Sequence, residues 1–106
     1  MKARVFQWDT SCSSCSPDNF YEFEDHFQDA AKEFLKNLSI SDEEITKMCL
    51  IQSSRYEEGR KAEFCILIPL DKYDDKKFDE FDDDIGGAAD EYFGGWGFEE
   101  LENEEI

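Results

Sequence analysis

The stretch that decides the fold is DEFDDDIGGAADEYFGGWGFEELENEEI, residues 79–106. It mixes acids with aromatics and is interrupted by two glycine pairs, Gly86-Gly87 and Gly94-Gly95. This composition describes both a disordered acidic segment that folds on a partner and a packed element of a folded domain. The choice between them decides how the core is closed and where most of the charge lies.

The apolar residues of this stretch favour a packed element. From Phe78 they recur at intervals of three and four, which is the spacing of one helical face. The spacing predicts a helix, or two short helices bent at the glycine pairs, within residues 72–98. We expect residues 1–98 to form one domain and residues 99–106 to form a flexible acidic tail. The apolar positions are Phe78, Phe81, Ile85, Ala88 or Ala89, Tyr92 or Phe93, and Trp96.

The first forty residues predict a strand followed by a helix. Residues 2–8 alternate as in a short strand, and Ser16-Pro17 is typical of a helix N-cap and first turn. The stripe that follows is amphipathic and mostly aromatic, with acids off the stripe. Its apolar positions are Phe20, Phe23, Phe27, Ala30 or Ala31, Phe34 and Leu38.

The middle of the chain predicts an antiparallel hairpin. Residues 46–56 and 62–69 are β-branched or apolar, and they flank a turn-like segment at residues 57–60. Both faces of these strands carry apolar residues, so each face of the sheet needs another element packed against it. We therefore predict a single α+β domain of order β-α-β-β-α. It has a three-stranded, mainly antiparallel sheet, a long amphipathic helix on one face and the C-terminal acidic helical segment on the other.

Net charge is the outlying property of the composition. The chain has 28 acids against 11 Lys and Arg, a formal charge of −17, whereas small soluble domains usually carry a net charge of magnitude about 2–8. Most of the excess falls in residues 71–106. Such a surface repels anionic lipid and nucleic acid. The chain also lacks a long apolar run and the apolar stretch of a signal peptide. We expect a cytoplasmic protein that binds neither a membrane nor nucleic acid directly.

The spacing of the acids in a helix would approach that of nucleic-acid phosphates. Residues 71–84 contain eight acids, or one per roughly 2.6 Å of helix axis at about 1.5 Å rise per residue. One strand of duplex DNA has a charge about every 3.4 Å. The sequence therefore predicts a non-enzymatic inhibitor that blocks a nucleic-acid-binding protein by presenting phosphate-like carboxylates. The predicted partner-binding residues are Asp74, Asp75, Asp79, Glu80, Asp82, Asp83, Asp84, Asp90 and Glu91.

In size, charge and aromatic content, the chain is similar to the acidic DNA-mimic inhibitors of phages and mobile elements. That class includes antirestriction proteins, anti-CRISPR proteins and uracil-DNA glycosylase inhibitors. The similarity is one of class and involves no shared motif. It implies a basic nuclease or defence effector as partner and a role in host–virus interaction. An immunity protein or antitoxin that neutralises a basic nuclease is an open alternative.

The cysteines carry the remaining candidate chemistry. Cys12-Ser13-Ser14-Cys15 follows a predicted strand and precedes a helix, which is the position of thioredoxin-like redox motifs. A C-x-x-C redox or zinc-binding module is therefore a further alternative, although Ser11 replaces the usual aromatic residue. Cys49 and Cys65 stand among apolar neighbours and are expected to be buried. No phosphate-binding loop or nucleophile motif is present. We assign no catalytic residue, metal site, cofactor or oligomeric state.

Overall fold

Seven elements follow one another in the computed structural model, which describes residues 2–12, 15–54, 61–93 and 95–105. Within these ranges the chain is an α+β domain, as predicted. The elements are β1 (Lys2–Ser11), α1 (Pro17–Asn37), α2 (Asp42–Met48), β2 (Cys49–Ser54), β3 (Lys61–Pro69), α3 (Asp75–Tyr92) and β4 (Trp96–Glu105).

The described strands form one sheet of order β2-β3-β1-β4, and every neighbouring pair is antiparallel. The predicted hairpin is present as β2 and β3, and its predicted turn at 57–60 lies outside the described residues. The prediction of three strands is wrong because β4 pairs with the free side of β1. The predicted start of the hairpin at residue 46 is also wrong, since residues 46–48 end the short helix α2.

Helix α1 begins where the sequence predicts. Ser16 is extended and Pro17 is the first helical residue, where its missing N–H costs no hydrogen bond. The aromatic stripe of α1 is buried, with Phe20, Phe23 and Phe27 fully shielded from solvent. Ser39 takes a positive φ of 64° just after the helix, which turns the chain toward α2.

Helix α3 confirms that the acidic segment is packed, but the predicted bend at Gly86-Gly87 is absent. Asp74 caps the helix, its Oδ1 accepting the backbone N–H of Lys77 at 3.0 Å. The helix then continues for 18 residues to Tyr92. It tolerates the glycines because Gly86 is buried under the Trp96 ring, where an added Cβ would come within 3.1 Å of the indole.

The two long helices lie on the same face of the sheet, so the predicted placement on opposite faces is wrong. Trp8 on β1 contacts the ring of Phe27 from α1 and that of Phe81 from α3, with centroids 5.6 Å away in both cases. The helices also contact each other, since Phe34 and Phe81 stack at 4.7 Å. Their aromatic stripes share one core with the Phe6, Trp8 and Phe64 side of the sheet. That shared core buries both helices without a second layer.

Strand β4 replaces most of the predicted tail. Residues 96–101 pair in regular register with residues 10–5 of β1, and a bulge follows before Glu104 pairs with Ala3. Phe98 stacks on Phe6 at 6.0 Å and lies against Trp8 at 5.2 Å. These contacts hold the strand although most of its side chains are exposed.

Candidate functional site

The nine predicted partner-binding acids are brought together by α3. Asp74 is the N-cap and the other eight lie within the helix. Asp82 is half-buried and the rest are exposed. The opposite side of α3 is embedded in the core and has no acid; its buried residues are Phe78, Phe81, Ile85, Gly86, Ala88 and Ala89. We call the set of nine acids the α3 acidic face.

One acid of this face is bonded to the centre of the core. The indole N–H of Trp8 donates to Asp82 Oδ1 at 3.1 Å, and Trp8 is fully buried. Buried indole N–H groups need a partner, and a neutral donor holds a carboxylate without cancelling its charge. Asp82 is thus oriented by a neutral donor from β1.

A second indole holds the C-terminal end of the face. Trp96 on β4 donates its indole N–H to Asp90 Oδ1 at 2.6 Å. The same ring lies on Gly86, which has no side chain to push it away. Gly86 therefore serves as the contact point between α3 and the Trp96 ring of β4, a role that the sequence pattern did not indicate.

Helix α3 is also joined to α1 by two polar contacts. His26 Nε2 lies 3.2 Å from Asp84 Oδ2, close enough for an ion pair but without the angles of a hydrogen bond. Lys77 Nζ donates to the carbonyl of Asn37 at 2.9 Å, at the C-terminal end of α1. Between these links is a groove of about 500 Å³. It is lined by Ala30, Glu33, Phe34, Asn37, Lys77, Glu80, Phe81 and Asp84.

The exposed acids of the α3 acidic face are spread along the helix. Asp79 and Asp83 are one helical turn apart, and Glu80 and Glu91 are also exposed. Residues 79–91 contain seven acids over about 18 Å of helix axis, or one per roughly 2.6 Å. That density lies between the value for one DNA strand, about one charge per 3.4 Å, and the value for a duplex, about one per 1.7 Å.

Strand β4 adds five acids that the sequence analysis assigned to a tail: Glu99, Glu100, Glu102, Glu104 and Glu105. Arg4 donates to both Glu100 oxygens at 2.9 Å, and its guanidinium lies 4.1 Å from the centre of the Tyr73 ring. The hydrogen bonds from Arg4 lower the pKa of Glu100. Phe98 and Leu101 are the apolar residues that could have indicated this strand, but their spacing of three residues also fits the end of a helix.

A second groove, of about 560 Å³, lies at the end of the sheet beside Trp96. Its polar lining includes Asp9, Glu63 and Glu99, and the Gln7 amide donates to Asp9 Oδ1 at 2.7 Å. The Cys65 thiol donates to Gln7 Oε1 at 3.3 Å, and burial raises the pKa of this thiol to about 11. Cys65 is therefore a poor nucleophile at neutral pH.

The C-x-x-C motif forms a disulfide. Cys12, just after β1, is joined to Cys15, just before α1, with Cα atoms 5.4 Å apart. Cys15 Sγ lies 3.6 Å from the Tyr92 carbonyl oxygen, and the Asn19 amide donates to that oxygen at 3.0 Å. Over the described ranges, no three His, Cys, Asp or Glu side chains are grouped as metal ligands.

Comparison of the chain with protein-family models, with curated proteins and with solved structures finds no match. In the described part of the chain, no helix has the length and apolar character needed to cross a membrane.

Proposed function

We propose that this protein is a non-enzymatic, cytoplasmic inhibitor that blocks a nucleic-acid-binding protein by presenting the α3 acidic face in place of nucleic acid. The observation that carries the proposal is the attachment of this face to the core. Trp8 and Trp96 each donate an indole N–H to an α3 carboxylate, Asp82 and Asp90. Two acids of the face are therefore held in position by neutral donors.

Positioned charge matters because of how basic grooves bind. A protein that neutralises phosphates with Lys and Arg gains free energy from counterion release, and a carboxylate row of similar density offers the same gain. A disordered acidic tail would also pay the ordering cost on binding. In α3 the aromatic half of the helix is already buried, so most of that cost has been met by folding.

The proposed partner is a basic nuclease or defence effector, of the type that phage and mobile-element inhibitors act on, including anti-CRISPR and antirestriction targets. An immunity protein or antitoxin would use the same face against a toxic nuclease. The two differ in the origin of the partner, because an immunity protein neutralises a toxin made with it whereas an anti-defence protein meets a partner encoded by the host.

The test begins with capture of the partner from the native host and identification of the bound protein. Binding of the purified pair is then measured between 50 and 300 mM salt, with a competing oligonucleotide. We expect affinity to fall steeply with salt and the oligonucleotide to displace the protein. The triple variant D79N/E80Q/D83N removes three exposed charges from the α3 acidic face and is expected to weaken binding at least tenfold.

The matched control is D42N/E43Q/E44Q, which removes three exposed charges from α2. Helix α2 contacts β2 and β3 at the opposite edge of the sheet from β4. If binding is insensitive to salt, leaves the partner's nucleic-acid binding intact, or responds equally to both triples, the proposal is wrong.

The redox alternative has one specific observation in its favour, the Cys12–Cys15 disulfide at the start of α1. A redox module would lose its activity in C12S/C15S, whereas an inhibitor acting through α3 would keep its affinity for the partner. The same variant in the partner-binding assay therefore separates the two functions.

A further inference from the structure

Among the described strands, β4 lies at the edge of the sheet, and no described strand pairs with the outer side of its residues 96–101. It is the last strand in the sheet order, and β1 occupies its other side. Each of its side chains is exposed apart from Leu101, which is half-buried. An edge strand of this kind leaves a row of backbone N–H and C=O groups available for another chain. Residues 96–101 form the regular part of this edge, because the bulge that follows interrupts the ladder.

The charge of β4 determines what can pair with it. The strand has five glutamates and no basic residue. In a pair of β4 strands from two copies, glutamates would face glutamates, and like charges directly across a strand pair are destabilising. A strand rich in Lys or Arg would gain from the same positions. The edge therefore disfavours a second copy and favours a basic strand.

The helix-side surface of β4 fits cationic side chains. Trp96 and Phe98 lie on this side and are 37% and 41% exposed. The Trp96 ring is bonded to Asp90, and the Phe98 ring lies 5.2 Å from the ring of Trp8, which holds Asp82. Aromatic faces beside carboxylates attract guanidinium and ammonium groups by cation–π contact and by charge.

The opposite surface of β4 is also acidic. Glu99 lines the groove of about 560 Å³ together with Asp9 and Glu63, and Gly95 and Gly97 are also among its lining residues. Side chains of an added strand alternate between the two surfaces. Both surfaces of β4 therefore complement basic residues.

From these observations we propose that the β4 edge at Trp96–Leu101 binds an extended, Lys- or Arg-rich segment of the target as an additional antiparallel strand. Strand addition uses backbone hydrogen bonds for affinity and alternate side chains for specificity. The inference rests on the proposed function for the origin of the segment, a basic region of the inhibited protein. The edge itself is testable without that protein.

The experiment uses the full chain and a nine-residue peptide in which Arg alternates with Val and Thr. Amide hydrogen exchange is followed by NMR with and without the peptide. About half of the amides at residues 96–101 point away from β1 in an antiparallel ladder and should exchange rapidly in the free protein. We expect the peptide to slow their exchange at least tenfold. A peptide of equal charge with Pro at two central Val positions should give no protection, because Pro lacks the N–H.

Charge variants test the complementarity. E99K is expected to weaken peptide binding about fivefold, because an attractive cross-strand pair becomes repulsive. The control E43K makes the same change of charge on α2 and should alter binding by less than about twofold. D79N/E80Q/D83N should keep the protection of β4, even where it abolishes binding of the captured partner.

Three results would overturn the inference. The first is peptide-induced change confined to α3, with the fast amides of residues 96–101 unaffected. The second is equal binding of the Pro-containing peptide. The third is protection that rises with protein concentration in the absence of peptide, which would identify a second copy as the occupant. Each of them leaves the decoy function of α3 to be judged separately, by salt dependence and nucleic-acid competition.

Discussion

Helix α3 and strand β4 have similar fractions of acid but are attached to the protein in different ways. Eight of the 18 residues of α3 and five of the ten residues of β4 are acidic. The helix buries a continuous apolar side, whereas β4 is held by its backbone ladder to β1 and by two partly exposed rings. Two segments of similar composition thus form two kinds of surface. Helix α3 presents carboxylates on a packed helix, and β4 presents the backbone groups of an edge strand.

The largest expected difference between the two regions lies in their aromatic anchors. Phe81 of α3 is 5% exposed and contacts rings from β1 and α1. F81A should lower the free energy of unfolding by about 3–5 kcal/mol, the usual cost of truncating a buried Phe. Urea unfolding followed by circular dichroism measures this change.

The corresponding change in β4 is F98A. Phe98 is 41% exposed, so less apolar area returns to water and we expect a loss below about 2 kcal/mol. Equal losses for F81A and F98A would mean that β4 is as deeply anchored as α3, and the comparison would fail.

The next effect concerns the bond between the acidic face and the core. D82A leaves the indole N–H of fully buried Trp8 without its acceptor, which should cost about 1–3 kcal/mol. The neighbouring D83A removes an exposed charge of the same helix and should change stability by no more than about 0.5 kcal/mol. If the two variants are equally stable, the indole bond does not position the face.

The spacing of apolar residues was sufficient to predict both long helices. The stripes from Phe20 to Leu38 and from Phe78 to Phe93 are buried as periodicity requires, and Ser16-Pro17 marks the start of α1. Strand β4 was not predictable in the same way. Trp96 continues the three-and-four spacing of α3, and the five glutamates hide the alternation of the strand. The segment is a strand because it pairs with the edge of β1 that β3 does not occupy.

The composition of the acidic face was also predictable, but the bonds that hold it were not. Trp8 and Asp82 are 74 residues apart in sequence, and their contact depends on α3 lying on the same sheet face as α1. The sequence predicted the opposite face for α3, because the central strands are apolar on both sides, and that prediction is wrong. The Gly86–Trp96 contact likewise exists only after β4 has paired with β1.

The two adjacent glycines of α3 provide a matched test of the contact with β4. Gly87 is exposed and an added Cβ meets nothing within 4 Å, so G87A should stabilise the helix by about 0.5–1 kcal/mol. The Cβ of G86A would lie 3.1 Å from the Trp96 ring. We expect the ring to shift and to lose its bond to Asp90, which offsets the gain by about 1 kcal/mol. Thermal unfolding and Trp fluorescence report both changes, and equal stabilisation by the two variants would show that the ring does not depend on Gly86.

The smallest expected effect tests whether charge contributes to the attachment of β4. The hydrogen bonds from Arg4 lower the pKa of Glu100 from its usual value of 4.5. A lowered carboxyl pKa stabilises the folded state above about pH 4.5 and loses that contribution as pH falls through the folded pKa. Because the Glu100 side chain is 39% exposed, E100Q should cost no more than about 0.5 kcal/mol at pH 7. The difference from wild type should shrink as the pH falls below 4.5 and Glu100 becomes protonated. A larger cost at pH 7 would make the Arg4–Glu100 pair, and not the ladder to β1, the main attachment of β4.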